Sequence, residues 1–222
     1  FNRFGRYETG GAYQSPDSPY ADWFTFLDFP NEYKSWWGFY TLPAVDKSNT
    51  EYHKYLLDTE NGVFPGWIKR GACGWRLDVA NEVSDETWVH FRNSVKALNS
   101  EAVIIGEIWA DATRYLMGGM YDSVMNYIFR DAVAGFARGY LINRDNKAER
   151  YDSDYTAEDA ITTLEILRER YPEEAFYAMM NLVGSHDTAR ILSYLDDVED
   201  NGTIFCPLGY ALYKVSDHAI RE

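Results

Sequence analysis

Residues 74–83 read Gly-Trp-Arg-Leu-Asp-Val-Ala-Asn-Glu-Val, a short apolar strand whose far end carries Arg76 and Asp78. Strand side chains alternate faces, so positions i and i+2 point the same way. A guanidinium beside a carboxylate favours the ionised form and holds it aimed. Read alone, the pair is a structural ion pair at the end of a buried strand. What surrounds it in the chain changes that reading.

Downstream, Ser84 is placed to cap a helix in which Trp88, Phe91, Val95 and Leu98 recur at steps of 3, 4 and 3, an amphipathic stripe for a core. Residues 102–109, Ala-Val-Ile-Ile-Gly-Glu-Ile-Trp, form the next strand, apolar throughout and therefore expected to be covered on both faces. A short helix near 113–117, a weak strand at 123–125 and a helix over 126–139 follow. Thr156 and Asp159 resemble a capping box, with Asp for the usual Glu or Gln, opening a helix over 156–170 with Ile161, Leu164 and Leu167 inward. Residues 178–182 are a further strand, running into Val-Gly-Ser-His-Asp. Beyond 191–194 the pattern gives way to an acidic loop at 196–202 and a helix start at 216–222.

Upstream, 51–61 and 65–70 read as helices, with Gly62 as a stop between them, and 72–78 as the strand already quoted. Residues 1–48 differ in texture. Gly10-Gly11, Ser15-Pro16 and Ser18-Pro19 are turn punctuation, and no helical or strand period is sustained. Such a segment reads as a long excursion packed on a neighbouring scaffold, of the kind that serves binding.

Strand and helix alternate about four times, which predicts an α/β fold with a parallel sheet. A doubly wound sheet and a (β/α)8 TIM barrel both fit. No GxGxxG or GxxxxGK[ST] follows a strand, so the usual nucleotide signature of the first is missing.

The 222 residues suffice for one or two domains, and 46% hydrophobic with 25% charged residues is ordinary for a globular chain. Aromatics reach 17%, and flat rings can stack on sugars as well as fill cores. A net charge of −14 disfavours nucleic acid and anionic membranes, which need Lys and Arg against phosphate. Two cysteines, Cys73 and Cys206, and four scattered histidines give neither a disulfide framework nor metal-ligand spacing. With no leader and no long apolar run in view, a cytoplasmic location is the expectation.

Three strand ends carry carboxylates: Asp78, Glu107 and Asp187. In a parallel barrel all such ends converge on one face. Three carboxylates without a metal cluster suit glycosidic cleavage, in which one attacks the sugar carbon and a protonated second serves the leaving oxygen. Asp78, beside Arg76, is placed to stay ionised as the nucleophile. Glu107, between Gly106 and Ile108-Trp109, is placed for a pKa raised by desolvation, which suits the acid. Asp187 then binds sugar hydroxyls and stabilises the cation-like transition state. This chemistry needs the two carboxyl groups roughly 5–5.5 Å apart and no cofactor.

These segments also resemble a known family. Residues 74–83, Ile-Ile-Gly-Glu-Ile-Trp at 104–109 and Leu-Val-Gly-Ser-His-Asp-Thr-Ala-Arg at 182–190 resemble three signature segments of the α-amylase superfamily of glycoside hydrolases. The Asp-Val-Ala-Asn-Glu form, with Trp36-Trp37-Gly38-Phe39 and Leu42-Pro43 upstream, looks most like the neopullulanase, cyclomaltodextrinase and maltogenic amylase group. The resemblance implies a (β/α)8 barrel with 1–48 as the B-domain-like region and 49–222 as the central, incomplete part of the catalytic barrel, about strands four to seven. It implies Asp78 as nucleophile, Glu107 as acid/base and Asp187 as stabiliser, with Arg76 and His186 holding the nucleophile and a sugar hydroxyl. Asn81 and Glu82 match acceptor-side positions, or cap the following helix. Trp37 and Trp109 stack on sugar rings or serve packing. The acidic loop at 196–200 reads as solvated; a structural calcium would belong to a larger parent, as would a homodimer.

The family's first signature segment, its remaining barrel strands and its C-terminal β domain have no counterpart here, so the chain resembles part of a larger enzyme, expected to be inactive or self-associating alone. The resemblance implies an α-glucan oligosaccharide or polysaccharide as the partner. A transglycosidase or isomerase of the same fold, and a non-catalytic carbohydrate-binding relative, are the alternatives.

Overall fold

A computed structural model describes residues 1–3, 10–138 and 156–195. By its internal contacts the chain divides into two compact units, Phe1–Cys73 with Asn93–Glu101, and Gly74–Arg92 with the residues from Ala102 onward.

The first unit begins with an irregular segment held by its aromatic side chains. Phe1 packs against Phe24, Phe26 and Tyr33 at ring-centroid distances of 4.9, 5.7 and 4.5 Å. Two short antiparallel strands, β1 (Phe26–Asp28) and β2 (Glu32–Tyr33), supply its only regular pairing among the described residues, besides isolated bridges Phe24–Val45 and Ser35–Pro43. Rings gathered from separate turns leave no period in the sequence, which is why none is visible there. Helix α1 (Thr50–Leu57) is capped by Asn49, whose Oδ1 accepts the Tyr52 N–H at 2.9 Å. It ends before residue 61, because Asp58 Oδ1 accepts the N–H groups of Glu60 and Asn61 and forms a turn. Gly62 is therefore not the stop of α1 but the N-cap of α2 (Val63–Lys69). Its N–H meets Asp58 O at 2.7 Å, and a Cβ there would lie 2.5 Å from that oxygen, so the turn needs glycine for close approach.

In the second unit β3 (Gly74–Leu77), β4 (Val103–Gly106), β5 (Ser123–Asn126) and β6 (Met180–Asn181) form a parallel sheet in sequence order. The alternation read from the sequence thus produces parallel pairing. Helix α3 (Asp85–Leu98) follows Ser84, whose Oγ accepts the Thr87 N–H at 3.3 Å. Trp88, Phe91 and Val95 are buried as the stripe predicts, whereas Leu98 at the helix end is exposed. Trp88 also donates from Nε1 to Ala80 O at 2.7 Å, which ties the helix to the turn after β3. β4 is less covered than its composition implies, because Val103 at its start is exposed while Ile104 is fully buried.

The remaining helices are α4 (Tyr127–Arg138), α5 (Ala157–Arg170), α6 (Glu173–Tyr177) and α7 (Ile191–Tyr194). The capping box forms with Asp in place of Glu: Thr156 Oγ1 accepts the Asp159 N–H at 3.1 Å, and Asp159 Oδ2 accepts the Thr156 N–H at 3.0 Å. The inner face of α5 is shifted by one position. Ala160 and Leu167 are buried with Leu164 half-buried, and Ile161 points out, since a single residue rotates the face by a quarter turn or more. Helix α6 was not expected; it keeps the Ala178 N–H on Glu174 O and Ala175 O, so the strand begins only at Met180. The expected acidic loop at 196–202, the helix start at 216–222 and the end of the α4 stretch at residue 139 lie outside the described residues. No helix among the described residues is long and apolar enough to cross a membrane.

Candidate active site

The register Leu77↔Gly106 places Asp78 and Glu107 side by side, each one residue past its strand. The ladder continues beyond them, with the Glu107 N–H on Leu77 O at 2.9 Å and the Ala80 N–H on Glu107 O at 3.3 Å. Arg76 reaches both carboxylates. Its Nη1 donates to Asp78 Oδ1, and its Nη2 lies 3.0 Å from Glu107 Oε1 without the alignment of a hydrogen bond. The Nε–H points at Met125 Sδ, 3.4 Å away, a soft contact that fixes the plane of the fork. Burial works to lower the Arg76 pKa. The hydrogen bond to Asp78 and the charges of Glu107 and Asp78 outweigh it and hold the guanidinium charged.

The two carboxylates sit in different surroundings. The Asp78 side chain is 72% exposed, and that of Glu107 only 5%. Glu107 Oε2 accepts the Val79 N–H at 2.8 Å, and Oε1 accepts the Trp109 Nε1–H at 3.3 Å. Val79 makes its bond from the left-handed region, at φ 42° and ψ 48°. That region is strongly disfavoured for a β-branched residue, and such strain persists only where the surroundings over-determine it. The buried carboxylate and the ladder on both sides supply that constraint.

At the neighbouring strand ends, Asn126 Nδ2 donates to Asn181 Oδ1 at 2.9 Å, and Asn126 Oδ1 caps α4 by accepting the Phe129 N–H at 3.1 Å. Tyr127 follows directly. Its ring lies 3.7 Å from that of Trp109 with 9° between planes, and its hydroxyl bonds to Ser185 Oγ at 3.1 Å. Ser185 Oγ also accepts the Asp187 N–H at 3.1 Å. His186 Nε2 stands 3.0 Å from Asp187 Oδ2, with both side chains open to solvent.

Of the residues singled out in the sequence, Arg76, Asp78, Glu107 and Trp109 are thus joined by direct contacts. His186 and Asp187 form a second cluster, linked to the first through Tyr127. Asn81 and Glu82 lie on the single 3-10 turn Ala80–Glu82 after the strained Val79; the helix cap itself is Ser84. Trp37 belongs to the first unit, where it stacks on Trp36 at 4.5 Å, is 71% exposed and has φ 50°. Among the described residues no group of three His, Cys, Asp or Glu side chains is arranged to hold a metal ion. The acidic loop at 196–200 lies outside them. Sequence reasoning missed Tyr127, Ser185 and the Val79 amide. Tyr127 was findable, because it is the first residue past a strand end in a sheet whose neighbouring strand ends carry Asp78 and Glu107.

Comparison with known proteins identifies the family of the chain. Residues 9–208 match the family described as "Alpha amylase, catalytic domain". Neopullulanase 2 of Thermoactinomyces vulgaris is 43% identical over 184 residues, which is 79% of this chain and 28% of that protein. An amylopullulanase of Thermoanaerobacterium thermosulfurigenes is 39% identical over 211 residues, 87% of this chain and 11% of that protein. The solved structure of cyclic α-maltosyl-(1→6)-maltose hydrolase from Arthrobacter globiformis, in complex with its namesake saccharide, superposes with a TM-score of 0.72 at 30% identity, covering 83% of this chain and 39% of that one. The chain spans well under half the length of these relatives. Matched over most of its own length and superposing on a member's structure, the chain belongs to the α-amylase catalytic-domain family, whose fold is a TIM barrel.

Proposed function

We propose that the chain is the central part of the catalytic barrel of a retaining α-glucan hydrolase, with β3 to β6 as the fourth to seventh barrel strands and residues 1–48 as the loop-rich B domain. Asp78, paired with Arg76 and open to solvent, attacks the anomeric carbon to form a glycosyl–enzyme ester. Glu107 protonates the departing glycosidic oxygen and then takes a proton from the incoming water. Asp187 and His186 hold sugar hydroxyls as charge develops on the ring, with Asn81 and Glu82 as further substrate contacts. The substrates are α-glucans such as maltooligosaccharides, cyclomaltodextrins and pullulan, a class supported by the names of the relatives.

The observation that supports this reading most is the Arg76 fork. One guanidinium touches Asp78 with one amino group and Glu107 with the other, which keeps the carboxylates close, as retention requires. It also leaves one exposed and one buried, the division of surroundings that two different roles need.

The test is product stereochemistry with the full-length enzyme in which this sequence forms the central part of the barrel. Proton NMR of maltotriose or pullulan digests, read before mutarotation, is expected to show the α-anomer first. Glu107→Gln is expected to lower kcat by about 10²–10⁴-fold. A β-anomer as first product, or an unchanged rate, overturns the assignment; products longer than the substrate reassign the chain to glycosyl transfer.

A further inference from the structure

A continuous set of contacts runs from Glu107 to Asp187, and Tyr127 is its middle. On one side the Tyr127 ring covers a face of Trp109 at 3.7 Å and 9°, and Trp109 directs its Nε1–H to Glu107 Oε1 at 3.3 Å. On the other the Tyr127 hydroxyl bonds to Ser185 Oγ at 3.1 Å. A serine oxygen has two lone pairs, and this one also accepts the Asp187 N–H at 3.1 Å. The Ser185 N–H is itself held by Thr188 Oγ1 at 2.8 Å, which fixes the backbone that carries this oxygen.

We propose that Tyr127 is a positioning residue that sets Glu107 and Asp187 relative to one another, through Trp109 on one side and Ser185 on the other. This rests on the roles given to the two carboxylates above. Tyr127 is suited to it by placement. It is 1% exposed and begins α4 immediately after β5, so its backbone is fixed by the sheet and its ring by burial. The carboxylates it links belong to segments separated by most of a hundred residues, and this ring joins them. Burial, aided by the negative charges of Glu107 and Asp187, holds the hydroxyl pKa above its ordinary value against the opposing effects of the Ser185 hydrogen bond and the Arg76 charge, so the phenol stays a donor across the working range of pH. Loss of the hydroxyl frees the Asp187 loop while leaving Trp109 stacked; loss of the ring frees Trp109 too.

Two variants separate these arms. Tyr127→Phe keeps the ring and removes the bond to Ser185. It is expected to lower kcat about fivefold on maltotriose with KM unchanged, the size of one neutral hydrogen bond. Adding Tyr127→Phe to Ser185→Ala is expected to cost nothing further, because both delete the same link. Tyr127→Leu removes the stack as well. In protein labelled with 5-fluorotryptophan, the Trp109 fluorine resonance, identified by its loss in Trp109→Phe, is expected to move in Tyr127→Leu and to stay in Tyr127→Phe. A Trp109 resonance unmoved in Tyr127→Leu, or a fully additive Tyr127→Phe/Ser185→Ala pair, overturns the positioning role. A Trp109 resonance that responds to the two Tyr127 substitutions as expected, in a full-length enzyme whose wild type cleaves no α-glucan, counts against the proposed function and for the placement.

Discussion

Replacing Arg76 with Met removes one cation from two carboxylates in unlike surroundings, and their burial decides which loss dominates. Asp78 is 72% exposed, so water competes for its bond to Arg76 and that link contributes about 1 kcal/mol or less. Glu107 is 5% exposed, and stripping one partner from a buried ion pair costs about 3–5 kcal/mol. Two features place this case at the lower end. The Val79 and Trp109 N–H groups remain on the carboxylate, and the lost contact lacks hydrogen-bond alignment. Arg76→Met is therefore expected to destabilise by about 3 kcal/mol. Adding Glu107→Gln removes the stranded charge and is expected to recover about 2 kcal/mol of it. Adding Asp78→Asn instead is expected to recover less than about 1 kcal/mol. Urea unfolding of the four proteins, followed by tryptophan fluorescence at constant m-value, measures these differences. Equal recovery by the two second substitutions would show that burial does not govern this fork, and the reasoning fails.

Two further outcomes follow from particular contacts. A Cβ on Gly106 would lie 2.7 Å from Tyr121 Cε2, in a ring that is 1% exposed and has no room to yield. Gly106→Ala is expected to cost about 1–3 kcal/mol and lower the melting temperature by several degrees; an unchanged thermal scan refutes it. The hydrogen bonds from Thr156 hold the Asp159 pKa below its ordinary value. A depressed folded pKa gives stability that is complete above the unfolded carboxylate pKa and is lost as pH falls through the folded one. The penalty of Asp159→Asn is thus expected at neutral pH and expected to vanish in acid. A penalty independent of pH would mean that the carboxylate charge plays no part in the cap.

How legible the protein was depended on whether its contacts were local in the chain. Ser84, Thr156 and Asp159 cap helices through bonds spanning three residues, so spacing alone revealed them. The stripe of α3 is equally local, and only its last member, Leu98, departs because the helix end is open to solvent. Gly62 was misread because a glycine between two helices serves either as a stop or as a start, and the Asp58 turn chooses. Residues 1–48 resisted reading because their rings meet across turns rather than along a period.

The sequence by itself determined that strands and helices alternate, that the sheet is parallel, and that Asp78 and Glu107 stand at strand ends, because strand length and side-chain alternation are properties of short segments. Asp187, expected at a strand end too, lies instead in the loop beyond β6, which ends at Asn181. Only the tertiary structure decided how the carboxylates differ. Arg76, two residues from Asp78, looked like its partner alone, yet strand pairing brings Glu107 onto the same fork and buries it against the amide of a strained Val79. Tyr127 shows the same limit, since stacking on Trp109 and bonding to Ser185 are contacts across strands. Register and burial act between residues far apart in the chain, and no spacing within one segment encodes them.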